Sequence, residues 1–206
     1  MSAAKSHLEV LPRSLQVLLV LGAIALAAFP FVSTDFYASM MARMMILAIF
    51  AMSLDLLQGV TGLVSLGHAA FFGIGGYFLS LVSSDSGTVS LWWTLPGAVL
   101  ASAFFAAVIG FFVVRTHGIY FIMVTMAFAQ MLFYVFFGNK ALGGSDGVYV
   151  NFRPVAGIFD LEDKRVFYYF TLAMMVLVYA FLRRLLWSPF GRALAGIRVN
   201  EHRMRA

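Results

Sequence analysis

The 206-residue chain has no cysteine and only three lysines, Lys5, Lys140 and Lys164. Without cysteine it forms no disulfide and no thiolate metal site, and its redox compartment stays open. None of the lysines lies in a GxxxxGK[ST] loop, so the chain has no such cradle for nucleotide phosphates and is not itself the ATPase of a pump. Catalytic signatures are missing as well. His68 and His117 stand without an HExxH pattern or clustered carboxylates, so no metal site is expected. Asp55, Ser65 and His68 would make a triad on paper, but GxSxG is absent, and two members a few residues apart on one helix face do not make a triad. The chain is expected not to be an enzyme. Charge is also scarce, at 11% of residues against about 25% in soluble domains.

What fills the chain instead is apolar sequence, 62% of all residues. At about 20 residues per crossing of a bilayer core about 30 Å thick, it holds six spans, near 15–32, 36–57, 63–82, 94–114, 118–137 and 166–182. The expected fold is all-α, a polytopic integral membrane protein with about six transmembrane helices. Residues 1–14 form a cytoplasmic tail, 15–187 the transmembrane domain and 188–206 a basic cytoplasmic segment. The alternative for Leu15–Val32, a cleaved signal peptide, is disfavoured by the length of the run and by the spans that follow. Trp92 and Trp93, beside the polar loop Ser83–Ser90, read as an interfacial anchor. A net charge of +5 invites a nucleic-acid reading, but the Lys and Arg residues cluster at span ends. With the head inside, nine of the fourteen fall on the inner side, among them Arg115, Arg183, Arg184, Arg192 and Arg198. Under the positive-inside rule both termini are cytoplasmic, and no nucleic-acid partner is expected.

The most unusual stretch is Asp55–Ser80, DLLQGVTGLVSLGHAAFFGIGGYFLS, with six glycines among apolar residues. Each glycine costs roughly 1 kcal/mol relative to alanine inside a helix, so the run needs a reason. Ser65, Ala69 and Gly73 recur every four residues and Gly76 and Ser80 continue the row, which predicts a smooth helix face for a neighbouring backbone. Asp55 is the one acidic residue expected below the membrane surface. It either lines a solute route or serves the helix break before Gly59-Val-Thr-Gly62. His68 is either an interhelical hydrogen-bonding group or part of the route, and the same choice applies to Thr125 and Gln130. In the tail, Ser188-Pro189 reads as an N-cap and first helical position. The apolar Ala193, Leu194 and Ile197 then alternate with Arg192 and Arg198, as suits either a docking surface or a segment resting on anionic membrane lipid.

Four blocks, in order, resemble the LivM-type permease subunit of branched-chain amino-acid ABC importers. They are Leu54–Tyr77, Thr116–Gln130, Gly143-Gly-Ser-Asp-Gly147 and Ser188–Glu201. The resemblance implies a translocation subunit for branched-chain amino acids or similar small solutes in the bacterial inner membrane. Its implied partners are a second, LivH-like permease subunit, two cytoplasmic ATP-binding subunits and a periplasmic substrate-binding protein. ATP would be held by a partner, leaving this chain without a cofactor. Gly191, Arg192, Arg198, Asn200 and Glu201 match the family's coupling region against the ATPase. Ser65, Gly67, His68 and Gly73 belong to the permease core. The family is longer than this chain, so the resemblance implies that later spans are missing and the coupling segment is incomplete. From the residues alone the alternative is a gradient-driven secondary transporter or channel with an Asp55 or His68 carrier site.

Overall fold

A computed structural model describes residues 13–83, 90–116, 118–147, 161 and 163–199. Among these the regular structure is helical and no strand forms. The helices are α1 Arg13–Val32, α2 Asp35–Asp55, α3 His68–Ser83, α4 Leu91–Val113, α5 Ile119–Gly138, α6 Lys164–Trp187 and α7 Pro189–Val199. A π turn, Leu56–Val60, continues α2, and two 3-10 turns, Lys140–Leu142 and Gly144–Asp146, follow α5. Among the described residues, four helical stretches are long and apolar enough to cross a membrane: Asp35–Val60, Leu91–Val113, Ile119–Gly138 and Lys164–Trp187. Shorter apolar helices cover Leu21–Phe31 and His68–Val82. The protein is an all-α, multi-pass membrane protein.

The third apolar stretch differs from its sequence reading. Residues from Leu63 to Gly67 are not helical, and α3 starts only at His68. Ser65 therefore does not stand on the α3 face with Ala69 and Gly73. At the other end of the chain, α6 carries Arg183 and Arg184 as helical residues, and the helix stops at Trp187. The head 1–12, most of the polar loop (84–89), His117, residues 148–160 and the tail 200–206 lie outside the described residues.

The chain divides into two compact units, Met1–Met52 with Asp163–Ala206, and Ser53–Glu162. In the first, Ala38 and Ala42 stand one turn apart on α2 and are buried together with Met45 and with Tyr168 of α6. Small residues at this spacing let a helix surface be approached closely without a hydrophobic drive from water. Tyr168 is fully buried, and its hydroxyl donates to the Leu26 carbonyl of α1 at 2.7 Å, while Tyr169 donates to the Ala27 carbonyl at 3.1 Å. The reason lies four residues on. Pro30 sits inside α1 and has no N–H, so the Leu26 carbonyl loses its intrahelical donor. In hydrocarbon that carbonyl has no water to turn to, and the tyrosine hydroxyl takes the place of the missing N–H. The Phe29 ring stacks over Tyr168 at 6.4 Å. At the start of α6, Asp163 caps the helix by accepting from the Arg165 N–H at 2.9 Å. The Lys164–Asp35 pair nearby, 3.7 Å apart and more than half exposed, adds little.

The second unit packs α3 against α4 and α5. Ser102 of α4 donates to the Phe71 carbonyl of α3 at 3.2 Å, and Tyr77 of α3 stacks flat on Phe136 of α5 at 4.1 Å. Ile109, Val113 and Phe121 form the buried core between α4 and α5. Gly67 meets the Thr125 backbone, and ten residues on Tyr77 meets Phe136, so α3 and α5 run parallel. A chain that crosses back through α4 between them requires this. The expected small-residue stripe is not a packing face within this unit. Ala69 and Gly76 are exposed, and a Cβ placed on Gly73 or Gly76 would meet nothing within 4 Å.

The clasp on α1 makes a prediction. Tyr168→Phe leaves the Leu26 carbonyl without a donor and should cost about 1–3 kcal/mol. Combined with Pro30→Ala, which restores an N–H to that carbonyl, the same change should cost less. Thermal unfolding of the four variants of this cycle in detergent checks it, and equal costs in both backgrounds would show that the two groups are not coupled.

Candidate functional site

The stretch between α2 and α3 is where the backbone departs from helix. The π turn widens the end of α2, and the Leu57 carbonyl then accepts both the Leu63 N–H at 3.3 Å and the Thr61 hydroxyl. Gly62 follows with φ of 76°, in the left-handed region where glycine carries no Cβ penalty. From there the chain runs without helix to Gly67, which comes so close to α5 that an added Cβ would lie 2.6 Å from the Thr125 carbonyl. Irregular backbone is tolerated at membrane depth only where it is buried in protein or lines a cavity, and this segment lines one.

That cavity measures about 200 Å³. Leu57, Leu63, Ser65 and Gly67 of the segment form one wall, and Ile109 of α4 and Thr125 of α5 stand in the others. Its lining is almost wholly apolar. Ser65 and Thr125 are the side-chain hydroxyls in it, and both are buried. Thr125 donates to the Ile122 carbonyl of its own helix at 2.9 Å, which leaves its oxygen able to accept. A second cavity of about 210 Å³ lies further along the same helices, with Gly73, Tyr77, Leu132, Phe136 and Gly144 in its lining. Ala70 and Ala129 line both.

The expected site residues thus separate. Ser65 and Thr125 share the first cavity and Gly73 lines the second. His68 lines neither of the two: its Nε2 lies 2.8 Å from the Ser53 hydroxyl, tying the end of α2 to the start of α3. Its ring meets Phe71 edge-on at 6.3 Å. Asp55 is exposed at the last turn of α2 and makes no capping hydrogen bond to the π turn; its carboxylate instead lies over Gly59, where a Cβ would collide with it. Gln130, the other α5 candidate, is exposed and borders neither of these two cavities. One residue past Ala129, it is turned about 100° around α5 from the cavity face.

The coupling candidates sit beyond α6. Ser188 ends that helix, donating its hydroxyl to the Leu185 carbonyl at 2.6 Å and accepting the Gly191 N–H at 3.3 Å, and Pro189 opens α7. Gly191 is buried in this turn, where a Cβ would run into the Leu186 carbonyl, so only glycine fits without shifting backbone. Arg192 and Arg198 are exposed on α7, while Ala193 and Leu194 are half-buried. Asn200 and Glu201 lie outside the described residues. Ala70 and Ala129 escape sequence reasoning because a methyl group carries no chemical signal. The one available hint is that Thr125 and Ala129 stand one helical turn apart and so share a face.

These features define the class: an all-α, multi-pass integral membrane protein in which a non-helical segment lines a cavity. Residues 36–206 match the family described as the branched-chain amino acid transport system permease component, and the chain belongs to that family. It is 28% identical over 198 residues to the high-affinity branched-chain amino acid transport system permease protein LivM of Salmonella typhimurium, and 27% identical over 198 residues to the protein of the same name from Escherichia coli. Each match covers 84% of this chain and 46% of the relative, so the chain spans about half the length of the curated relatives it matches. No solved structure matches the chain.

The two glycines at the cavities should respond oppositely. Gly67→Ala must push Cβ into the Thr125 carbonyl and should destabilise by about 1–3 kcal/mol. Gly73→Ala meets open space inside a helix and should be neutral or stabilising by up to about 1 kcal/mol. Melting temperatures of the two purified variants check this; a neutral Gly67→Ala would mean that the segment does not rest on α5.

Proposed function

We propose that this chain is a permease subunit of an ATP-driven ABC importer, forming part of the translocation path for branched-chain amino acids or similar small polar solutes. The observation that carries the reading is family membership over residues 36–206, and the interrupted segment beside an apolar cavity supports it. The chain lies in the bacterial inner membrane with both termini in the cytoplasm. It pairs with a second, LivH-like permease, and two cytoplasmic ATP-binding subunits bind and hydrolyse the nucleotide, so this chain needs no cofactor of its own. A periplasmic binding protein delivers the solute.

In this reading α7 transmits the ATPase's motion. The tight turn at Ser188–Gly191 joins it to the end of α6 without slack, and Arg192 and Arg198 present positive charge to the partner. A displacement of α7 is then passed to a membrane-crossing helix rather than absorbed by a loop. The two carriers of the gradient-driven alternative, Asp55 and His68, are not in the lining of the two cavities described above.

The test is co-purification. The chain, tagged at its head and expressed with its genomic neighbours, should bring down a second permease and ATP-binding subunits. Arg192→Glu should reduce recovery of the ATP-binding subunits at least tenfold while leaving the second permease in place. Recovery of the chain alone, or as a homo-oligomer, contradicts the reading.

A further inference from the structure

We infer that the seam between α3 and α5 is the path along which an aliphatic side chain moves, and that Ala70 and Ala129 are its size-limiting constriction. The inference rests on the permease reading above and adds where the solute goes.

The two cavities are consecutive along one parallel helix pair. α5 gives Phe121 and Thr125 to the first and Leu132 and Phe136 to the second, and Ala129 to both. On α3, Ala70 is likewise shared. At 1.5 Å per residue, the α5 stretch from Phe121 to Phe137 rises about 24 Å, most of the depth of a hydrocarbon core about 30 Å thick. The cavities therefore do not sit side by side. They divide the membrane's depth between them, and two methyl groups stand at the division.

The lining says what kind of group fits. Volumes of about 200 and 210 Å³ exceed several-fold that of a water, about 30 Å³, and admit a four-carbon side chain. The walls are mostly apolar and aromatic, with Ser65 and Thr125 the side-chain hydroxyls of the first cavity, so they suit an aliphatic side chain and would leave an ammonium and carboxylate largely uncompensated. Neither cavity is fully enclosed, and the charged end travels outside the seam while the side chain follows it. Alanine at both shared positions is the smallest residue that keeps helical propensity, and any larger side chain at either would close the passage between the cavities.

These 206 residues contain no cysteine, so in a complex whose other subunits are made cysteine-free a single thiol reads the seam. Ala129→Cys is introduced into the complete importer, reconstituted in liposomes with the binding protein outside and ATP inside. A water-soluble methanethiosulfonate reagent then adds bulk at the constriction, with uptake of radiolabelled leucine by the untreated variant as reference. The expected result is at least a tenfold loss of uptake on modification, restored by dithiothreitol, and slower modification when leucine is being transported. Gln130→Cys, one position round the helix and exposed, should be modified without that loss. Ala70→Cys, across the seam, gives an independent second reading. A thiol at 129 that modifies fully with uptake unchanged overturns the route. One that never reacts, as when an acyl chain fills the seam, overturns it too. A parent complex that takes up no leucine overturns the permease reading itself, and so separates the two failures.

Discussion

The structure depends on one constraint: inside a bilayer every backbone polar group must find its partner within the protein. Between α2 and α3 that constraint is met without helix. The Leu57 carbonyl takes two donors from the turn that follows, and Gly67 brings the segment against α5 closely enough to exclude even a methyl group. The non-helical stretch is permitted because its Ser65 and Gly67 are buried and form part of a wall of the cavity. The cavity in turn exists because that stretch replaces the side-chain-covered surface a continuous helix would have put there. Local geometry, packing and the cavity are thus one feature.

The same constraint acts in the other unit with a different solution. Pro30 opens a gap in the hydrogen-bond ladder of α1, and Tyr168, reaching across from α6, closes it with its hydroxyl. A proline that would weaken an isolated helix becomes the point that orients α1 against α6. His68 acts similarly in the second unit, joining the last turn of α2 to the first of α3 through Ser53. In each case a polar side chain makes a hydrogen bond between helices, and of the two only His68 stood out in the sequence.

This explains which parts of the molecule were legible in the sequence. The apolar runs were, because crossing a bilayer demands length and composition, and both can be counted. The glycine-rich stretch also stood out as the place where the chain does something special, since its cost inside a helix is large. What it does was misread at Ser65, because a four-residue repeat of small residues has the same period whether or not its first member is helical. Gly62 and the close contact at Gly67 decide that, and the contact involves a carbonyl about sixty residues away. Gln130, one residue past Ala129, is turned away from the two cavities by that single step round the helix. Thr125, on the neighbouring turn, does face the cavity, but only the placement of α5 against α3 shows it. Ala70 and Ala129, which line both cavities, could not be found at all, since a methyl group carries no chemical signal.

The central claim is that this bundle carries solute under the power of a partner's ATP hydrolysis. The most direct measurement is uptake of radiolabelled leucine into liposomes holding the purified complex, with binding protein outside and the interior loaded either with ATP or with an ion gradient alone. Accumulation that requires internal ATP and persists when proton and sodium gradients are collapsed is the predicted result. Accumulation driven by the gradient without nucleotide would contradict the account.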